Sequence, residues 1–250
     1  MNCKFYKGEL IARKSFGISV FMIYFLIFIS SYARAQFQTF EWARYGTGAG
    51  IELATHVGTD ASSNVFVAGQ FEITTDFNPG AGVANLASVG DGDIFIMKSD
   101  LDGNFLWAYR IGGVENEFVT AMTVDPSGNI YLAVAFQGTI DADPGAGVFN
   151  ITQPSFANGV FLLKLNSNGK FVWAKQFGAP NESINIAALG LDVNNNVIIA
   201  GEFFNSVDIN FDAPVVTFNT GVDVFSDTYI MEVSAAGAFT WAKQLRTTSA

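Results

Sequence analysis

The sequence predicts an all-β chain built from a repeated four-stranded antiparallel sheet, and three observations carry that prediction. Trp-Ala closes an apolar run four times, at Trp42, Trp107, Trp173 and Trp241, in nearly equal steps. Each full period holds four short apolar segments, rich in Val, Ile, Phe and Tyr and separated by Gly, Asn, Asp and Pro. No helical period interrupts them. A fixed period with the same punctuation in each copy means one supersecondary unit stacked on itself.

Residues 1–35 stand apart from this pattern. Lys4, Lys7, Arg13 and Lys14 precede an apolar stretch from Ile18 to Ile29, and Ala33-Arg34-Ala35 follows it. The stretch is shorter than the ~20 residues a membrane span needs, and small residues stand at both positions that signal cleavage prefers. This reads as a signal peptide cleaved before Gln36, with a retained N-terminal anchor as the alternative. The one cysteine, Cys3, lies before the apolar stretch, which excludes a lipoprotein. The segment holds five basic side chains (Lys4, Lys7, Arg13, Lys14, Arg34) against one acid, Glu9, so the remainder is more acidic still than the whole chain's net charge of −10. It contains no further span. Such an anion repels phosphate backbones, so nucleic acid is excluded as a partner. With Cys3 removed, disulfides, a cysteine nucleophile and a thiolate metal site are excluded too.

The mature chain opens on a lone fourth-type strand, Phe40-Glu41-Trp42-Ala43-Arg44-Tyr45-Gly46, within residues 36–50. Copy one (51–115) offers strands from Thr55 to Asp60, Asn64 to Phe71, Ile94 to Ser99 and Asn104 to Ile111. Copy two (116–181) offers Ala121 to Asp125, Asn129 to Phe136, Val160 to Leu165 and Lys170 to Phe177. Copy three (182–250) offers Leu189 to Asp192, Asn196 to Phe203, Thr228 to Val233 and Ala238 to Leu245. Asp102-Gly103-Asn104, Asn168-Gly169-Lys170 and Ala236-Gly237-Ala238 join the last two strands, and only the glycine is common to all three. Asp100 and Asp102 alone resemble the start of a calcium loop, but the third copy loses both acids and keeps the glycine. The glycine therefore serves a positive φ in a tight turn.

Strands such as the run from Asn129 to Phe136 are apolar at consecutive positions, so both faces of each sheet need cover. Four-stranded sheets repeated radially and packed face to face give a β-propeller, with Trp-Ala between adjacent blades. A row of sandwich domains is the competing solution, but a unit of this length has too few strands for one. Three blades plus one orphan strand make an incomplete ring, so we expect this sequence to be the N-terminal part of a longer chain.

Three runs carry a family resemblance: Val124-Asp125-Pro126-Ser127-Gly128-Asn129-Ile130-Tyr131-Leu132, Phe161-Leu162-Leu163-Lys164-Leu165, and Asn168 to Gly178 around Trp173-Ala174. They resemble the SBBP-type bacterial β-propeller repeat and, more distantly, the NHL repeat. The resemblance implies an exported or cell-surface bacterial propeller, often joined to further modules. The long insertion between second and third strands departs from that pattern.

In a meander blade, those insertions and the blade-to-blade links share one face. The insertions open on Asp76-Phe77-Asn78-Pro79-Gly80, Asp141-Ala142-Asp143-Pro144-Gly145 and Asp208-Ile209-Asn210-Phe211-Asp212-Ala213-Pro214; the links add Glu52, Glu117 and Glu182. Two readings compete for Glu52, Asp76, Glu117, Asp141, Asp143, Glu182, Asp208 and Asp212. As a ring of acids they would take Ca²⁺ or a cationic or hydroxyl-rich ligand; as turn formers, Asp before x-Asn/Asp-Pro initiates an Asx-type turn. The second is preferred, because a motif present in every blade more often serves the blade.

Catalytic parts are sparse. His56 is the one histidine, and its repeat equivalents, Met122 and Ala188, are apolar, so no Ser-His-Asp set or histidine cluster can be assembled. The expectation is an exported, non-enzymatic binding or display scaffold, without cofactor, serving a protein or glycan ligand. The alternative is a carbohydrate-active enzyme or lyase with its acids on the long-link face.

Overall fold

The computed structural model describes residues 47–153, 158–178, 182–220 and 225–246. The expected signal peptide and the strand around Trp42 lie outside them. β1 (Thr47–Gly48) leads into β2 (Glu52–Thr59) and β3 (Val65–Phe71). A short hairpin of β4 (Thr74–Asp76) and β5 (Asn85–Ala87) follows, then β6 (Asp93–Ser99) and β7 (Phe105–Ile111). The second repeat runs β8 (Phe118–Val124), β9 (Ile130–Phe136), β10 (Gly138–Asp141), β11 (Asn150–Gln153), β12 (Gly159–Leu165) and β13 (Phe171–Phe177). The third runs β14 (Ser183–Ile184), β15 (Ala188–Leu191), β16 (Val197–Phe204), β17 (Ser206–Asp208), β18 (Thr217–Asn219), β19 (Ser226–Val233) and β20 (Phe239–Leu245).

Each repeat is an antiparallel meander in the manner of a propeller blade, ordered β2-β3-β6-β7, β8-β9-β12-β13 and β15-β16-β19-β20. The first strand starts earlier than the sequence suggests, because one extra residue is accommodated as a bulge. The register shifts between Ala54 and His56 in blade one and between Val119 and Ala121 in blade two. In blade three the same strand is split, and β14 and β15 both pair with β16. The long insertions also fold: β4-β5, β10-β11 and β17-β18 are antiparallel hairpins beside the blades.

Burial follows from the stacking. Phe66, Ile94 and Ile96 of blade one pack with Ile130, Leu132, Val134 and Phe161 of blade two. Tyr131, Ala133 and Leu162, on the other face of blade two, pack with Val197, Ile199 and Phe203 of blade three. β9 is therefore buried at nearly every position, whereas β16, of similar composition, alternates buried and half-buried. Each large aliphatic or aromatic side chain so removed from water contributes roughly 1.5–3 kcal/mol.

A repeated lock joins each blade to the next. Trp107 and Tyr109 close on Gly169, and Trp173 closes on Gly237, the turn glycines of the following blade, whose φ values are 70° and 86°. Cross-strand from these tryptophans stand Lys98 and Lys164. Lys98 Nζ donates to Ser167 O at 3.2 Å and Lys164 Nζ to Ala235 O at 2.7 Å, each ammonium also lying over a ring, Phe66 or Tyr131. The turn glycine thus has two reasons to lack a side chain: its φ and the tryptophan against it.

Candidate functional site

The insertion hairpins are held by their first aspartates. Asp76 Oδ1 accepts the N–H groups of Asn78 (3.0 Å) and Ala84 (2.8 Å); Asp141 Oδ1 accepts those of Asp143 (3.0 Å) and Phe149 (2.8 Å). Asp208 Oδ1 accepts those of Asn210 (3.1 Å) and Val216 (3.0 Å). The next polar residue repeats the device, with Asn78, Asp143 and Asn210 accepting from Gly80, Gly145 and Asp212. This is a tandem Asx turn in every blade. The Ala84 and Asn78 amides hold the Asp76 carboxyl below its ordinary range. Asp212 reaches blade two, where Lys175 Nζ lies 3.1 Å from Oδ1 and stacks over the Phe211 ring.

The link glutamates meet the hairpins along one seam. Thr75 Oγ1 donates to Glu52 Oε1 at 2.6 Å, and Asp208 N–H donates to Glu182 Oε2 at 3.2 Å. Backbone pairing joins link to hairpin in the same register twice, Thr47 with Asp76 and Gly112 with Asp141. Glu117 differs from the other two: it is fully buried, its Oε2 accepts Gly113 N–H at 3.1 Å, and its Oε1 meets no donor. The seam brings Glu52 and Glu182 to a hairpin, but among the described residues no three of His, Cys, Asp and Glu are arranged to hold a metal ion.

A second repeated device was not legible in the sequence. In blade three Gln244 Nε2 donates to Asn219 O and to Asp227 Oδ2. In blade two Gln176 donates to Thr152 O and Gln153 Oε1, Gly159 standing where the aspartate would. In blade one Arg110 Nη1 donates to Asp93 Oδ2 at 2.7 Å. The fourth strand thus ties the entry of the third in blades one and three, and the hairpin beside it in blades two and three. Blade one also keeps a half-open cavity of about 220 Å³ over Phe105, lined by Asn78, Gly80, Gly82 and Asn104. In blade two Phe149 covers the equivalent Phe171 at 4.8 Å, and Ala84 takes the place of Phe149 in blade one.

His56 is half-buried on β2, with Nδ1 2.8 Å from Thr55 Oγ1. It pairs with Ala68 as Ala121 pairs with Ala133 and Ala188 with Ala200. Its equivalent in blade two is therefore Ala121 and not Met122: the step that carries Trp42 onto Trp107 carries His56 onto Ala121.

No protein-family model matches the chain. A curated relative does. It is an uncharacterised WD repeat-containing protein of Acanthamoeba polyphaga mimivirus, 23% identical over 224 residues, which cover 80% of this chain and 16% of that protein. The chain thus spans about a sixth of the length of the relative it matches. A protein of unknown function from Bacteroides caccae, known from its crystal structure, aligns with a TM-score of 0.28 and 11% identity over 76% of this chain and 81% of that one. The repeat-protein relative agrees with the blades: this is a propeller-type repeat architecture.

Proposed function

We propose that the chain is an exported β-propeller module of the SBBP type that binds or displays a partner without turning it over. One observation supports this above others: the aspartates of the insertion hairpins are bound into structure. Asp76, Asp141 and Asp208 each hold two backbone N–H groups, and Asp143 holds one. A carboxylate so occupied is a poor nucleophile or proton shuttle. The hairpins so stabilised expose Asn, Thr and aromatic side chains, a surface suited to a protein or glycan partner. No helix among the described residues is long and apolar enough to cross a membrane. Export is read from residues 1–35 alone.

Screening the purified mature chain on a glycan array beside a panel of glycosidase and polysaccharide-lyase substrates tests the reading. Saturable binding without turnover is expected. Turnover abolished by a single acid-to-amide substitution on the long-link face would establish the enzyme instead.

A further inference from the structure

At the junction of blades one and two, repeat positions that are harmless elsewhere converge. Glu52 receives the Thr75 hydroxyl, but Ile140 stands at the threonine position of blade two, so Glu117 loses that donor. Glu182 enters beside a blade whose third strand begins with Gly159; Glu117 enters beside one beginning with Asp93. Glu117 N–H donates to Gly92 O at 3.1 Å, and Gly92 bridges Asn116, which sets Glu117 against the start of β6. Both carboxyls are fully buried. Asp93 Oδ2 accepts Val89 N–H at 3.0 Å and Arg110 Nη1 at 2.7 Å; its Oδ1, like Glu117 Oε1, has no partner.

One guanidinium cannot neutralise two buried carboxylates, and two orphaned acceptors are costly. A single proton removes both difficulties. We propose that Asp93 and Glu117 hold one proton between them across this seam, Glu117 donating to Asp93 Oδ1, so that the joint between blades one and two is tight while the proton is held and loosens when it leaves. The charged groups facing Glu117 are Asp93 from β6, Arg110 from β7 and Glu115 from its own link. On β10, the Asp141 carboxylate is turned into its own hairpin. Burial pushes the Glu117 carboxyl up to about 7, with the Asp93 charge adding to the rise and the Gly113 N–H and Arg110 opposing it.

The sign follows from the proton count. Above the ordinary value of 4.5 the unfolded chain has released this proton while the folded chain keeps it until about pH 7. The stabilisation is complete below the first value and is lost as pH rises through the second, the unfolding constant growing up to about tenfold per pH unit between them. The Glu117→Gln substitution keeps a carbonyl for Gly113 N–H and supplies a permanent donor toward Asp93 Oδ1.

The test compares urea unfolding of the mature wild type and of Glu117→Gln from pH 5 to pH 9. Wild-type stability is expected to fall relative to the variant as pH rises to neutrality, with faster exchange of the Glu117 amide at pH 8. Equal pH profiles would overturn the proposal. Should the variant fail to fold, carbon-detected titration of the wild-type Glu117 carboxyl decides: a midpoint near neutrality supports the shared proton, and one in the ordinary glutamate range overturns it. Stabilisation of the wild type by millimolar Ca²⁺ at pH 8, absent in Glu117→Gln, would also overturn it and assign the pair to a cation.

Discussion

Trp173 lies against Gly237 of the following blade so closely that a β-carbon on the glycine would stand 2.9 Å from the indole Cδ2 and Cε2. The indole Nε1 donates to Ala235 O, two residues before that glycine, at 3.3 Å. The same turn therefore takes a ring on its glycine and a hydrogen bond on its carbonyl.

Gly237→Ala is expected to cost about 2–4 kcal/mol, joining the strain of a left-handed residue to overpacking against the indole. Gly190 has nothing within 4 Å of a built β-carbon and no positive φ. Gly190→Ala should stay within about 0.5 kcal/mol of wild type. Urea midpoints of the two variants check the contrast.

Ala235 O accepts from both Lys164 Nζ and Trp173 Nε1. In single variants, Lys164→Met or Trp173→Phe, the remaining donor cushions the carbonyl. The double variant should lose about 0.5–1 kcal/mol more than the sum. A double-mutant cycle by thermal unfolding measures this coupling, and strict additivity would mean that the two donors act apart.

Asp141→Ala removes the acceptor for Asp143 and Phe149 N–H and should cost about 1–2 kcal/mol, with faster exchange of the Phe149 amide. Asp141→Asn keeps the accepting oxygen and should cost about half that or less. A ligand bound through the negative charge would not distinguish the pair: both substitutions would weaken its binding equally.

Acid should weaken the hairpins. Asp76 is held ionised by the Ala84 and Asn78 amides, and Asp100 by Asn104, so both folded carboxyls titrate below 3.8. Their stabilisation is present above that value and is lost as pH falls through and below it. Unfolding midpoints measured from pH 5 down to pH 2 should decline in wild type and decline less in Asp76→Asn.

The repeat, the four strands of each blade, the tryptophan at the blade junction and the turn glycine were legible because a nearly constant step exposes them to direct comparison. The hairpins inside the insertions were not. Strands as short as Thr74–Asp76 and Thr217–Asn219 carry no apolar alternation, and their folding rests on Asx hydrogen bonds. The sequence ranked Glu117 with Glu52 and Glu182, as one acid of a repeated link. Ile140 in place of Thr75 sets it apart from Glu52, and Asp93 beyond the link, where blade two has Gly159, sets it apart from Glu182; neither is visible until the sheets are paired. The shift of His56 onto Ala121 shows how a one-residue slip survives when both alternatives are apolar.

The tryptophan lock also has a direction. Its rings and ammonium groups, Trp107 with Lys98 and Trp173 with Lys164, belong to the earlier blade, and the turns that receive them, at Gly169 and Gly237, to the later one. A joint with unlike halves cannot be made by two identical surfaces meeting across a two-fold axis. Any blade added through it, from this chain or another, must follow head to tail, so this contact can propagate a ring or a spiral but never close a symmetric pair.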